Sequence, residues 1–119
     1  MGKQLSPHFN EDEFRCRHCS QLPADGMAPE LITKLEVLRA MVGKPLIITS
    51  GYRCPTHNKA VGGAAKSQHV LGTAADISAR GIGVDELART AERVGFGGVG
   101  LYHRQNFVHV DVRPGRARW

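Results

Sequence analysis

Residues 67–76 read Ser67-Gln68-His69-Val70-Leu71-Gly72-Thr73-Ala74-Ala75-Asp76. His69 offers an imidazole nitrogen and Asp76 a carboxylate oxygen. These are donors that zinc accepts in catalytic sites, where three protein ligands leave a fourth position for water. Gly72 lets the chain turn between them, and Ala74 lets the backbone approach closely. A second candidate stretch is Phe107-Val108-His109-Val110-Asp111-Val112. Strand alternation puts Phe107, His109 and Asp111 on one face and the three valines on the other. The valines suit a core, so His109 and Asp111 point together at the opposite face, where a metal could sit. Taken singly, each residue has an ordinary reading. A strand histidine is usually a satisfied surface or core residue, and an aspartate after small residues is a turn or cap acceptor.

These residues need a scaffold. Near the N-terminus Asn10 can cap a short turn with Glu13 as its capping-box partner, and Phe9 and Phe14 anchor this arm on the core. A loop with Pro23, Asp25 and Gly26 follows. Leu31, Ile32, Leu35, Leu38, Met41 and Val42 recur at spacings of three and four, which predicts a helix over 29–42 begun by Pro29 and ended by Gly43. Leu46 to Ser50 is a strand by its β-branched run. Asn58 to Ala60 makes a helical turn before Gly62-Gly63, and the remainder to Ser67 is a loop at the site. Strands are expected over 74–78, 99–102 and 107–112. A helix is expected over about 84–95, with Leu87, Ala88, Ala91 and Val94 inward and Gly95 at its end. This order predicts an α+β domain with helices against one face of a mostly antiparallel sheet and the site on the other.

The 119 residues suffice for one core. No apolar run approaches the ~20 residues that span a bilayer, and the N-terminus lacks the apolar stretch of a signal peptide. The formal net charge is +5, with Arg113, Arg116 and Arg118 near the C-terminus. Lys/Arg runs interleaved with aromatics are missing, so a nucleic-acid partner is not expected. Cys16, Cys19 and Cys54 are odd in number, which argues against a complete disulfide framework. Cys16-x-x-Cys19 is either half of a structural zinc site completed by His8, His18 or Cys54, a partner in a disulfide with Cys54, or a pair of inert thiols.

In this order the motifs resemble those of the zinc D-Ala-D-Ala metallopeptidases, which include peptidoglycan carboxypeptidases, phage endolysins and murein endopeptidases and share the hedgehog fold. The resemblance rests on Ser67-x-His69-x-x-Gly72-x-Ala74-x-Asp76, on Ser50-Gly51-Tyr52-Arg53 upstream and on Phe107 to Asp111 downstream, and covers roughly residues 5–119. It extends to the small cell-wall peptidases that end in a His-x-Asp strand and a terminal tryptophan, here Trp119. It implies a hedgehog/DD-peptidase-like fold over 1–119, with an N-terminal arm at about 1–28. It also implies one catalytic Zn2+ held by His69, Asp76 and His109. Arg53 matches the arginine that binds substrate and polarises the scissile carbonyl, and Ser67 and Gln68 line the pocket. The implied activity is hydrolysis of stem-peptide or cross-bridge bonds in peptidoglycan, by a monomer that reaches the wall by phage-type release or another non-classical route. A basic chain suits that anionic polymer. The alternative is a zinc-containing wall-binding or phage-tail module without catalysis. The chain departs from the pattern at Asn106, where many members carry an acidic base three residues before the last ligand. Asp111 and His103 are the remaining candidates for the base, and Asp111 could instead orient His109.

Overall fold

The computed structural model describes residues 2–63 and 67–119. The N-terminal arm forms a small hairpin, β1 (Gln4–Ser6) with β2 (Phe9–Asn10), followed by a 3₁₀ turn over Glu11–Phe14. Asn10 caps that turn through the expected capping box with Glu13. Phe9 and Phe14 are fully buried in the core. The arm also reaches the first long helix, where Glu36 accepts hydrogen bonds from Ser6 Oγ and from the His8 backbone.

Helix α1 runs Pro29–Val42, as its stripe predicts, and Gly43 terminates it at φ 73° with its N–H on the Arg39 carbonyl. Leu31, Ile32, Leu35 and Leu38 are buried and Val42 packs at the edge of the core. Met41 departs from expectation, being 48% exposed. It sits about 110° round the helix from the stripe's centre, beyond the face that the sheet covers. Helix α4 (Val84–Val94) buries Val84, Leu87, Ala88 and Ala91 and ends at Gly95, again in the left-handed region at φ 101°.

Five strands form one mixed sheet: β3 (Ile47–Ser50), β4 (Ala74–Ser78), β5 (Gly98–Tyr102), β6 (Phe107–Asp111) and β7 (Ala117–Arg118), in the order β3-β4-β6-β5-β7. The first three pairings are antiparallel, and β7 runs parallel to β5. Ile48, Ala75, Ile77, Val99, Val108 and Val110 point from the sheet into one core shared with α1 and α4. Burial of this apolar face supplies the main stabilisation, at roughly 25 cal/mol per Å² removed from water. Thus the two long helices cover one face, and the register Asp76↔His109 puts the two candidate ligands side by side on the other.

Two short helices flank that second face: α2 (Pro55–Ala60), which contains the turn expected over Asn58 to Ala60, and α3 (Gln68–Leu71). The expected loop at the site lies partly outside the described residues, at 64–66. Among the described residues no helix is long and apolar enough to cross a membrane.

Candidate active site

His69 is carried by α3, a single turn that its own caps define. Ser67 Oγ accepts the His69 N–H at 3.2 Å at the N-cap, and Gly72 at φ 75° closes the other end. A side chain at Gly72 would run into Pro23, and the Gly72 carbonyl accepts the Ala28 N–H at 2.9 Å. The glycine therefore serves both the turn and the seat of the N-terminal arm. Asp76 and His109 come from adjacent strands.

The three side chains converge. His69 Nε2 lies 3.1 Å from Asp76 Oδ1, His109 Nδ1 lies 3.1 Å from the same oxygen, and the two histidine nitrogens are 3.2 Å apart. A tetrahedral zinc with N and O ligands at about 2.0–2.1 Å keeps them about 3.3 Å apart. A near-equilateral triangle of this size would fit one such ion.

The partners on the far side of each ring fit the same use. His69 Nδ1 is 2.8 Å from the Gly51 carbonyl, so it carries the proton and leaves Nε2 with a free lone pair. His109 Nε2 is 2.7 Å from Asp111 Oδ2, which likewise frees Nδ1. Burial pushes the Asp76 carboxyl up, but in the metal-free site hydrogen bonds and charge from the protonated forms of His109 and His69 outweigh it and hold the group at about 2. Asp76 is therefore a carboxylate at neutral pH, the form a metal requires.

Arg53 stands beside this triangle. Its Nη2 donates to Asp76 Oδ2 at 3.3 Å and its Nη1 to Asn58 Oδ1 at 3.4 Å. Its backbone N–H donates to the His69 carbonyl at 3.2 Å, which ties the strap after β3 to α3. Gly51 is needed there, because a Cβ would lie 2.6 Å from the Phe14 Cα. Arg53 and the three triangle residues line a cavity of about 470 Å³ together with Ser67, Gln68, Tyr102, Phe107, Arg113 and Trp119.

Asp111 does share the His109 strand face, but it is completely buried and does not line the cavity. The Arg113 guanidinium grips it, with Nη2 at 2.6 Å and Nε at 2.9 Å. Gly98, its cross-strand neighbour, leaves room for the carboxylate that a methyl group would occupy. His103 is exposed and paired with Asp85 of α4 at 2.8 Å, outside the cavity. Replacing His103 by alanine is expected to change any metal-dependent hydrolysis by less than about twofold, since His103 lies outside the cavity and its exposed pair is worth little. Steady-state kinetics on the purified variant check this.

Three lining residues escaped the sequence reading. Arg113 continues the alternation of His109 and Asp111 one step past the strand end. Tyr102 is the register partner of Phe107, and their rings stack at 4.5 Å. Trp119 was noted only as a terminal residue. Its indole N–H donates to the Tyr102 hydroxyl at 2.7 Å, its ring lies 5.1 Å from His109, and the Arg113 guanidinium lies over it. Gly100 makes this possible, since a side chain there would occupy the indole's place.

A buried His2Asp triangle opening on a cavity beside an arginine is an arrangement able to hold a hydrolytic metal. The chain matches the family model described as Peptidase M15 over residues 7–111, and it belongs to that family. It is 38% identical over 95 residues to peptidoglycan L,D-endopeptidase MepK of Escherichia coli K12, covering 74% of this chain and 52% of that protein. It is also 38% identical over 99 residues to zinc D-Ala-D-Ala carboxypeptidase of Streptomyces albus G, covering 78% of this chain and 39% of the relative. The chain thus spans about half or less of the length of these relatives.

Proposed function

We propose that this chain is a zinc-dependent peptidase acting on the peptides of peptidoglycan, with a hedgehog/DD-peptidase-type fold. The observation that carries this reading is the His69–Asp76–His109 triangle, set in a cavity with Arg53 against the same carboxylate. The relatives' names supply the substrate class and the metal. His69 Nε2, Asp76 Oδ1 and His109 Nδ1 would hold the ion. When bound, zinc supplies a Lewis acid and brings the pKa of its water to ~7.

The chain's own residues do the rest. Arg53 presents a permanently charged guanidinium where a scissile carbonyl lies, and a donor fixed before reaction stabilises the developing oxyanion. Its bond to Asn58 limits how far it can swing. Ser67 and Gln68 offer polar groups at the cavity edge for the peptide backbone. Tyr102, Phe107 and Trp119 form an apolar wall that excludes water from one side. Arg113 adds positive charge, which favours an anionic stem peptide. Asp111 acts through His109, holding its ring orientation and tautomer, and is a positioning residue. All of these groups come from one chain, which fits action as a monomer. Its place of action in this reading is the cell wall.

The test is digestion of purified peptidoglycan with product analysis by mass spectrometry. Cleavage should disappear on chelation and return with zinc. A protein that holds zinc tightly yet releases no peptide at any pH would instead be the non-catalytic wall-binding module. Arg53→Ala should lower kcat/KM by about 10²–10³-fold, the typical cost of losing an oxyanion donor, with metal content unchanged. Kinetics together with elemental analysis separate this from a loss of zinc.

A further inference from the structure

A second group of potential ligands includes Cys54, the residue directly after Arg53. Cys16, Cys19 and Cys54 come from two distant parts of the chain, yet their sulfurs lie within 4.8 Å of one another. None forms a disulfide. A tetrahedral zinc with Zn–S bonds of about 2.3 Å holds its sulfurs about 3.8 Å apart, so little adjustment is needed.

The local backbone has the form of a metal knuckle. Cys16 N–H bonds the Gln21 carbonyl and Ser20 N–H bonds the Cys16 carbonyl, each at 2.9 Å, which closes a tight loop around Cys19. Ser20 takes a positive φ of 62° to complete it. The Cys54 N–H donates to Cys16 Sγ at 3.4 Å. Backbone donors aimed at a buried sulfur stabilise a thiolate, the form that ligates metal.

A fourth ligand follows from the helix. Cys54 is the N-cap of α2 and its Sγ accepts the His57 N–H at 3.4 Å. Residues at the N-cap and three positions on share one side of a first turn. The sequence therefore reads Cys16-x-x-Cys19 and Cys54-x-x-His57, a paired spacing of the Cys3His type. His57 is half-buried, while His18, whose ring stacks parallel to it at 5.8 Å, is exposed.

We propose that Cys16, Cys19, Cys54 and His57 form a second zinc site, structural in role, that is separate from the His69–Asp76–His109 triangle. The three sulfurs are gathered already, and His57 joins them by rotating out of its stack with His18. The bound ion ties the N-terminal arm to the strap that carries Arg53, the residue directly before Cys54. Its closed ligand set leaves no position for substrate.

The experiment uses the whole chain purified under reducing conditions. Elemental analysis should give two zinc ions per chain in the wild type and one in His69→Ala. Cobalt replacing zinc should show thiolate-to-metal charge-transfer absorption in the near ultraviolet, undiminished in His69→Ala. In wild-type protein, bound zinc should protect all three cysteines from alkylation, and chelator should expose them. One zinc per chain with no such absorption, or a disulfide found by mass spectrometry in the purified protein, would overturn the site. His57→Ala should weaken zinc retention at this site at least tenfold, read by competition with a chelator, and His18→Ala should not. If His18→Ala shows the loss instead, or neither does, the assignment of His57 is wrong. Because the stoichiometry, cobalt spectrum and alkylation are read on wild-type protein, a cysteine variant that fails to fold does not block the answer. None of these readouts depends on peptidase activity.

Discussion

His69→Ala is expected to remove one zinc ion per chain and to lower peptidoglycan cleavage by about 10³-fold or more. The magnitude follows from what a hydrolytic metal supplies, several kcal/mol of transition-state stabilisation plus a nucleophile at neutral pH. The loss should not be local to the metal. His69 is 2% exposed, and its ring joins the Gly51 carbonyl to Asp76. Truncation leaves a cavity and a buried carbonyl without its donor, so metal-free stability should also fall by about 2–3 kcal/mol. Denaturant unfolding of wild type and variant, both with chelator present, isolates this term. Adding zinc should then raise the wild-type midpoint by more than that of the variant, which keeps only the site proposed at Cys16, Cys19, Cys54 and His57, because a ligand stabilises only the state that binds it. An unchanged zinc content in His69→Ala, or cleavage at the wild-type rate, would remove His69 from the site.

What could be read from the sequence divides along physical lines. Helix α1 and strand β4 have the predicted bounds, because a long apolar stripe with Pro29 and Gly43 at its ends, and a small-residue run into Ile77, leave few alternatives. The convergence of His69, Asp76 and His109 in space depends on strand register, which composition does not encode. It could be foreseen only because the motifs occur together in a known order. Helix α3 has four residues, too few for a period. Its signals were its caps, Ser67 and Gly72, and those were visible. The parallel strand β7 had no signal, since Ala117-Arg118 is two residues in an arginine-rich tail. His57, the imidazole proposed for the second site, lies three residues past Cys54, whereas the histidines that the sequence reading offers as its completing ligands, His8 and His18, lie near Cys16-x-x-Cys19. His103 drew notice for its nearness in sequence to the last strand. The tight turn before β6, with Asn106 at φ 61°, instead leaves it beside Asp85.

Asp111→Asn separates the two roles that this carboxylate could play. A general base must reach the attacking water, within about 2.6–3.2 Å or through one intervening molecule. Asp111 has no exposure and does not line the cavity, and its oxygens are taken by His109 Nε2 and by the Arg113 side chain and backbone. Burial raises its pKa, but His109 and Arg113 more than reverse this and hold it well below the usual carboxylate range. Such a group is a poor proton acceptor at neutral pH. The expected result is a zinc affinity lowered about 10–100-fold, the usual effect of removing a ligand's outer partner. Turnover at saturating zinc should stay within about fivefold, with the acidic limb of the pH–rate profile unmoved. A base would behave oppositely, with turnover down about 10²–10⁴-fold at full metal loading and that limb abolished. Asp111→Ala should be harsher than asparagine in stability, by about 3 kcal/mol, because His109 and Arg113 then lose their shared partner in a buried setting. Asparagine still offers the His109 N–H an acceptor oxygen, so a variant as zinc-deficient as alanine would place the effect in the lost charge, and one close to wild type would place it in the hydrogen bond.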